Sequence, residues 1–314
     1  MQTVTVPALP PPAAPPAPPA RALRFWAASW VGPVAAAGIL AVLLWRLGSG
    51  PFLAGVRLVD GPAVAAALAI GGLTTVCTAW RWSLVAGGLG LRLPLGEAVA
   101  GCYRSVFLNA TLPGGVVGDV HRAVRSGRDA GDLGRGVRAV VWERTAGQVV
   151  QLVLAVAVLL ALPSPVRPAM PAIVLAAVAV AALALLLPRA GWLRRTISDA
   201  RTVVLAPDTR ARIALASAVA VAGHAATFLV AARAAGATAP LVHLLPLALL
   251  ALLAMSLPVN VAGFGPREGV AAWAFGAAGL TAAQGVATGV AYGVLVLVGS
   301  LPGAAVLLWR RSRG

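Results

Sequence analysis

The sequence contains no lysine: all 25 of its basic residues are arginine. Schiff-base chemistry, pyridoxal phosphate attachment and the phosphate-gripping lysine of a Walker loop are therefore excluded. Charge is scarce, at 11% of the 314 residues, and only nine residues are acidic. Nine acids spread over such a length offer few paired carboxylates for acid–base catalysis or metal binding. The two cysteines, Cys77 and Cys102, match no metal-ligand spacing and read as packing residues. His121, His224 and His243 are scattered, and the last two read as helix-packing residues. No metal and no other cofactor is expected.

What the chain has in excess is apolar surface. It is 60% hydrophobic, with a mean hydropathy of +0.89, and its apolar runs approach bilayer length. An all-α polytopic membrane protein is expected. The formal net charge of +16 would point to nucleic acid in a soluble chain. Here the arginines flank apolar runs, where they act as topology signals, so no nucleic-acid partner is expected.

Residues 1–20 include the run PALPPPAAPPAPPA and read as a disordered, polyproline-like tail, with a single membrane domain over 21–314. Six spans are expected, at 25–44, 62–80, 139–162, 169–187, 213–232 and 283–308. Trp26, Trp45, Trp80, Trp82, Trp142 and Trp309 fall near their ends, as an interfacial belt would have them. The stretches 119–138 and 189–212 carry Arg122, Arg125, Arg128, Arg135 and Arg138 in one and six further arginines in the other. They are read as cytoplasmic loops, which places both termini in the cytoplasm.

Two further apolar stretches, 93–118 and 240–281, must cross an even number of times for the charge rule to hold. Re-entrant hairpins entering from opposite faces satisfy it; for the second, a pair of full crossings would as well. The two stretches share a pattern: Leu112-Pro113 is followed by Gly118 and Asp119, and Leu257-Pro258 by Gly263, Arg267 and Glu268. Inverted repeats with broken helices would look like this.

Backbone freed by a Pro or Gly break survives at membrane depth only inside protein or beside a water-filled cavity. Ionisable side chains near such a break are costly and therefore informative. Arg104, Asp119, Arg122, Glu143, Arg144, Arg267 and Glu268 are the candidates. A guanidinium is planar, permanently charged and able to grip two phosphate oxygens, so the arginines point to a phosphate head group and the acids to groups that orient them. Glu143 and Arg144 fit equally well as a pair at the interfacial start of a helix. Arg125, Arg128, Arg135 and Arg138 read as topology determinants rather than ligands.

The segments YRSVFLNATLPGGVVGDVHRAV, VVWERTAG and SLPVNVAGFGPREG resemble the hallmark regions of the lysylphosphatidylglycerol synthase transmembrane family, the flippase-like part of the multiple peptide resistance factor. The resemblance covers residues 25–310. Arg104, Phe107, Asn109, Leu112-Pro113, Gly118-Asp119 and Arg122 fit the first motif, with Val117 standing where relatives carry glycine. Glu143-Arg144 stands where many relatives have Asp-Arg, and the Gly263 to Gly269 motif is intact. The resemblance adds Asn109 to the candidate site and implies a lipid translocator of the cytoplasmic membrane, one without catalytic residues. Some relatives carry a soluble aminoacyl-transfer domain. The longest polar segments here, about twenty residues, are too short for one, so lipid aminoacylation is not expected.

The expected activity is movement of a phospholipid or polyprenyl-linked lipid between leaflets. The alternatives are a membrane-embedded head-group transferase and a non-transporting partner subunit. Membrane lipids are the expected partners, with a second copy of the chain or a separate lipid-modifying enzyme left open.

Overall fold

The computed structural model describes residues 34, 37–112, 115–172, 175, 207–256 and 264–311. Several expectations lie outside them: the tail with Arg21, Arg24 and Trp26, most of the span 169–187, the Arg-rich loop as far as residue 206, and the centres of both breaks at 113–114 and 257–263.

Every regular element among the described residues is helical. The first apolar run continues as α1 (Ala37–Leu47) and then turns through 103° into α2 (Gly50–Arg57). Gly48 takes the turn with a φ of 72°, a conformation costly for any residue with a Cβ. Next come α3 (Gly61–Gly88), α4 (Leu95–Thr111), α5 (Val117–Asp129) and α6 (Leu133–Ala161). A second series follows: α7 (Pro207–Ala234), α8 (Leu241–Met255), α9 (Pro266–Ala277), α10 (Ala282–Ser300) and α11 (Pro302–Arg311). Helix starts follow from local sequence. Asp60, Asp132 and Thr281 each cap a helix by accepting from the backbone N–H three residues on, at 2.8, 2.9 and 3.1 Å.

Among the described residues, four helices are long and apolar enough to cross a membrane: α3, α6, α7 and the run Ala282–Leu308 formed by α10 and α11. Counting the bent α1–α2 pair as one span gives five. The chain is thus a multi-pass, all-helical membrane protein. Helix α3 runs past its expected end at Trp80 as far as Gly88, because Arg81 finds a buried partner instead of water.

The two series have the same layout. Helices of 28, 17, 13 and 29 residues in α3 to α6 are matched by 28, 15 and 12 in α7 to α9, followed by the 27-residue run from Ala282. Packing is matched as well: α3 lies on α7, α3 on α10 as α7 on α6, and α4 on α10 as α8 on α6. The α3–α7 contact is close because Gly223 has no side chain; a Cβ there would lie 2.3 Å from Cγ2 of Thr74. Gly71 and Gly299 bring α3 and α10 together in the same way, in the small-residue packing favoured where no hydrophobic drive joins helices. Phe228, Leu244, Leu247, Phe275 and Tyr292 fill the core of the second series.

Candidate functional site

Five charged side chains from three helices form one alternating network. The Glu143 carboxylate, in the first half of α6, is fully buried. It accepts from Nε of Arg81 on α3 at 2.9 Å and is paired with the Nη2 groups of both Arg81 and Arg122. Arg122 on α5 also donates from Nε to Asp119 at 3.0 Å, and Asp119 in turn is paired with Arg144 on α6. A charge removed from water is tolerated only when paired and hydrogen-bonded, and this network meets that condition.

Smaller groups complete it. Ser217 accepts from Nη1 of Arg81 at 3.0 Å, and Ser105 donates to Asp119 at 2.9 Å. The Asn109 amide donates to Asp119 at 3.2 Å while its oxygen accepts from the backbone N–H of Gly118 at 2.7 Å, tying the end of α4 to the start of α5. The guanidinium of Arg122 lies 4.9 Å from the centroid of the Trp82 ring. Gly147 leaves the space that Arg81 occupies, since a Cβ there would fall 2.7 Å from its Nη1. Burial pushes the Asp119 carboxyl up, but the guanidinium groups of Arg144 and Arg122 outweigh it and hold it below the ordinary carboxylate range.

This network borders a cavity of about 610 Å³. Its polar lining includes Arg81, Asp119, Arg122, Arg144, His224 and Ser256, and valines, alanines and Leu252 provide apolar wall. Residues beside both breaks reach it: Gly115 and Val116 at the first, Met255 and Ser256 at the second. Three guanidinium groups face two carboxylates, so the network carries one excess positive charge. That charge is available at Arg144, whose side chain is 47% exposed and gives Asp119 only one of its nitrogens.

The sequence-derived candidates thus divide. Asp119, Arg122, Glu143 and Arg144 come together at the cavity, and Asn109 braces them from outside its lining. Arg104 is buried on α4 and does not line the cavity. Arg267 and Glu268 form a second site. Glu268 accepts from Nε of Arg267 at 2.8 Å and from the Gly265 N–H at 2.6 Å, capping α9. Arg267 is held between Phe264 and Tyr292, 5.2 and 5.1 Å from their centroids. It reaches the cavity only as far as Met255, whose sulfur lies 4.0 Å from its Nη1.

Three expectations need correction. Glu143 and Arg144 do not start a helix, because α6 begins at Leu133, well before them, and there Glu143 is buried while Arg144 stays exposed. Trp82 does not belong to an interfacial belt; it is 2% exposed and covered by Arg122. Arg81 falls under the general reading of arginines beside apolar runs as topology signals, yet it is a buried member of the network. Among the described residues, no group of three or more His, Cys, Asp and Glu is placed to hold a metal ion.

The fold and the charged network define a membrane-embedded, cavity-forming helical protein. The chain belongs to the family described as Lysylphosphatidylglycerol synthase TM region, which it matches over residues 29–303. A search of curated proteins gives no match.

Proposed function

We propose that the protein is a translocator that carries an amphiphile with a phosphate-bearing head group across the cytoplasmic membrane. Arg144 is the residue assigned to meet the phosphate. The observation that carries this reading is the pairing of one excess, half-exposed guanidinium with an apolar-walled cavity between the two helix breaks. Arg81 and Arg122 spend their donors on Glu143, Asp119, Ser217 and Cys102, so their role is to fix Asp119 and through it Arg144. A cavity of about 610 Å³ falls within the range of ligand pockets and accepts a head group with the start of its acyl chains. Membership of a family named for a lipid synthase supports a lipid as cargo.

In this reading α4–α5 and α8–α9 are re-entrant hairpins that enter from opposite faces, and the two series form an inverted repeat. In this reading both termini lie in the cytoplasm. The protein carries out no chemistry on the lipid. Reconstitution of the purified chain in liposomes with a fluorescent phospholipid tests this. Wild-type protein is expected to equilibrate the label between leaflets, and Arg144→Gln to reduce that rate at least about tenfold while the melting temperature stays put. Equal rates for wild type, Arg144→Gln and empty liposomes would sink the proposal; head-group turnover in the same vesicles would favour a transferase.

A further inference from the structure

His224 stands well inside the 28-residue α7, and its Nδ1 lies 3.0 Å from the hydroxyl of Tyr292 on α10. Tyr292 is fully buried, with its ring against Phe228 and the guanidinium of Arg267, so the pair links the cavity wall to the second charged site. A histidine bonded across two membrane helices commonly serves packing alone. Packing would seal the ring, and this one is only half-buried. It borders the large cavity and also a second chamber of about 50 Å³ between α3, α7 and α10, which Thr74, Thr75, Thr78, Thr227 and Ser300 line with hydroxyls. That chamber takes about three waters and is polar enough to hold them. Among the described residues the other ring nitrogen, Nε2, has no hydrogen-bond partner and is not shut away from the space around it. An ionisable ring at membrane depth, in the wall between two spaces that suit water, is placed for proton uptake.

Its partner suits every protonation state. A hydroxyl donates to Nδ1 of one neutral tautomer and, after turning, accepts from Nδ1–H of the other tautomer or of the imidazolium. With the hydrogen on Nδ1, the lone pair of Nε2 is open to the cavity. A proton arrives there from hydronium, forming the N–H bond and leaving water, and departs by the reverse step.

Among the described residues no unpaired carboxylate faces the imidazolium. Helix α3 presents Arg81, and α6 presents Arg144 with Glu143 behind it, spent on Arg81 and Arg122. Asp119 is paired with Arg122 and Arg144. Helix α8 brings Leu252, Met255 and Ser256 to the cavity, and α10 brings Tyr292, with Arg267 and Glu268 beyond it. The network is already one positive charge in excess, so a second cation is held only together with an anion. A phosphate at Arg144 is such an anion. Phosphate and proton together return the site to the charge it carries when empty.

We propose that His224 is a proton-binding site that makes the protein a proton-coupled carrier, one proton binding with each lipid anion and leaving with it on the opposite side. The proposal rests on the phosphate reading above and adds to it the source of drive. Coupling is reciprocal: a phosphate that favours the proton is favoured by it to the same extent.

The test reconstitutes the full chain in liposomes with a trace of tail-labelled phosphatidylethanol, a monoanion whose phosphodiester does not titrate near neutral pH. Valinomycin with equal potassium on both sides holds the membrane potential at zero, and the outside is made more acid. Chemical reduction of the exposed label reads its share in each leaflet. With a gradient of about one pH unit, the label is expected to collect in the inner leaflet at least about threefold, against a ceiling of about tenfold for one proton per lipid. The steady ratio reports coupling and not speed, so a slow variant is still readable. His224→Gln is expected to bring it near one. Should that variant fail to fold, Tyr292→Phe keeps the ring against Phe228 and Arg267 but strands Nδ1–H of the imidazolium, and is expected to cut the ratio to about half. An undiminished ratio in the variants overturns His224 as the site. A wild-type ratio near one, with label crossing faster than in empty liposomes, overturns proton coupling and leaves the translocator reading standing. Crossing no faster than in empty liposomes overturns translocation, and the proton site with it.

Discussion

At the scale of single residues, Glu143 holds the network together because it is the one carboxylate that two buried arginines share. Glu143→Gln keeps its size but leaves Arg81 without a counter-charge and Arg122 with Asp119 alone, at a cost of about 3 kcal/mol. A large fall in melting temperature in detergent is expected, partly recovered when Arg81→Met removes the stranded charge. Asp119 sets an acid limit. Its folded pKa lies below the ordinary 3.8, so its contribution is present above that value and disappears as pH falls through the folded one. Melting temperatures between pH 6 and pH 3 are expected to drop at the acid end in wild type and less so in Asp119→Asn. Asp119, Arg122, Glu143 and Arg144 were visible in the sequence because charge in an apolar chain is conspicuous. Arg81 was not, since an arginine ending an apolar run looks the same as a topology signal until its partner, 62 residues away, is known.

At the scale of elements, the α4–α5 hairpin depends on backbone contact. A Cβ on Gly118 would lie 2.1 Å from the Ser105 carbonyl oxygen, which belongs to the main chain and cannot swing aside. Gly118→Ala is therefore expected to force α4 and α5 apart, costing about 2 kcal/mol and breaking the Asn109–Gly118 bond. Val117 is 40% exposed and makes no such demand, so Val117→Gly is expected to be nearly neutral by the same melting assay. The Gly-rich break itself was legible, and with it the place where the backbone comes closest. Helix lengths were legible only where a breaker follows. The helix past Trp80 continued because Arg81 and Trp82 have partners on other elements, which no local pattern encodes. The second motif, GFGPREG, was legible as a site but not in kind: Gly265, with φ at 127°, and the Glu268 cap turn Arg267 into an aromatic cage. Its geometry braces α9 against α10, where Gly293 clears 2.6 Å for the guanidinium.

At the scale of the whole molecule, the matched lengths and matched packing of the two series give the broken helices a common rationale. Two copies of a span–hairpin–span unit, inserted with opposite orientation, would bring both hairpins to one cavity between them. The cavity does receive residues from beside both breaks. Orientation is a separate matter, and four exposed positions test it. Glu97 and Ala130 flank the α4–α5 hairpin, and Thr238 and Ala278 flank α8–α9. After Cys77 and Cys102 are replaced by alanine, single cysteines at the four positions can be labelled in intact cells with a membrane-impermeant maleimide. Thr238→Cys and Ala278→Cys are expected to react from outside, and Glu97→Cys and Ala130→Cys only after lysis. If Thr238 and Ala278 report opposite faces, α8–α9 crosses the membrane instead of turning back within it. If all four report the same face, both hairpins enter together, and their convergence on one cavity needs a cause other than inverted duplication.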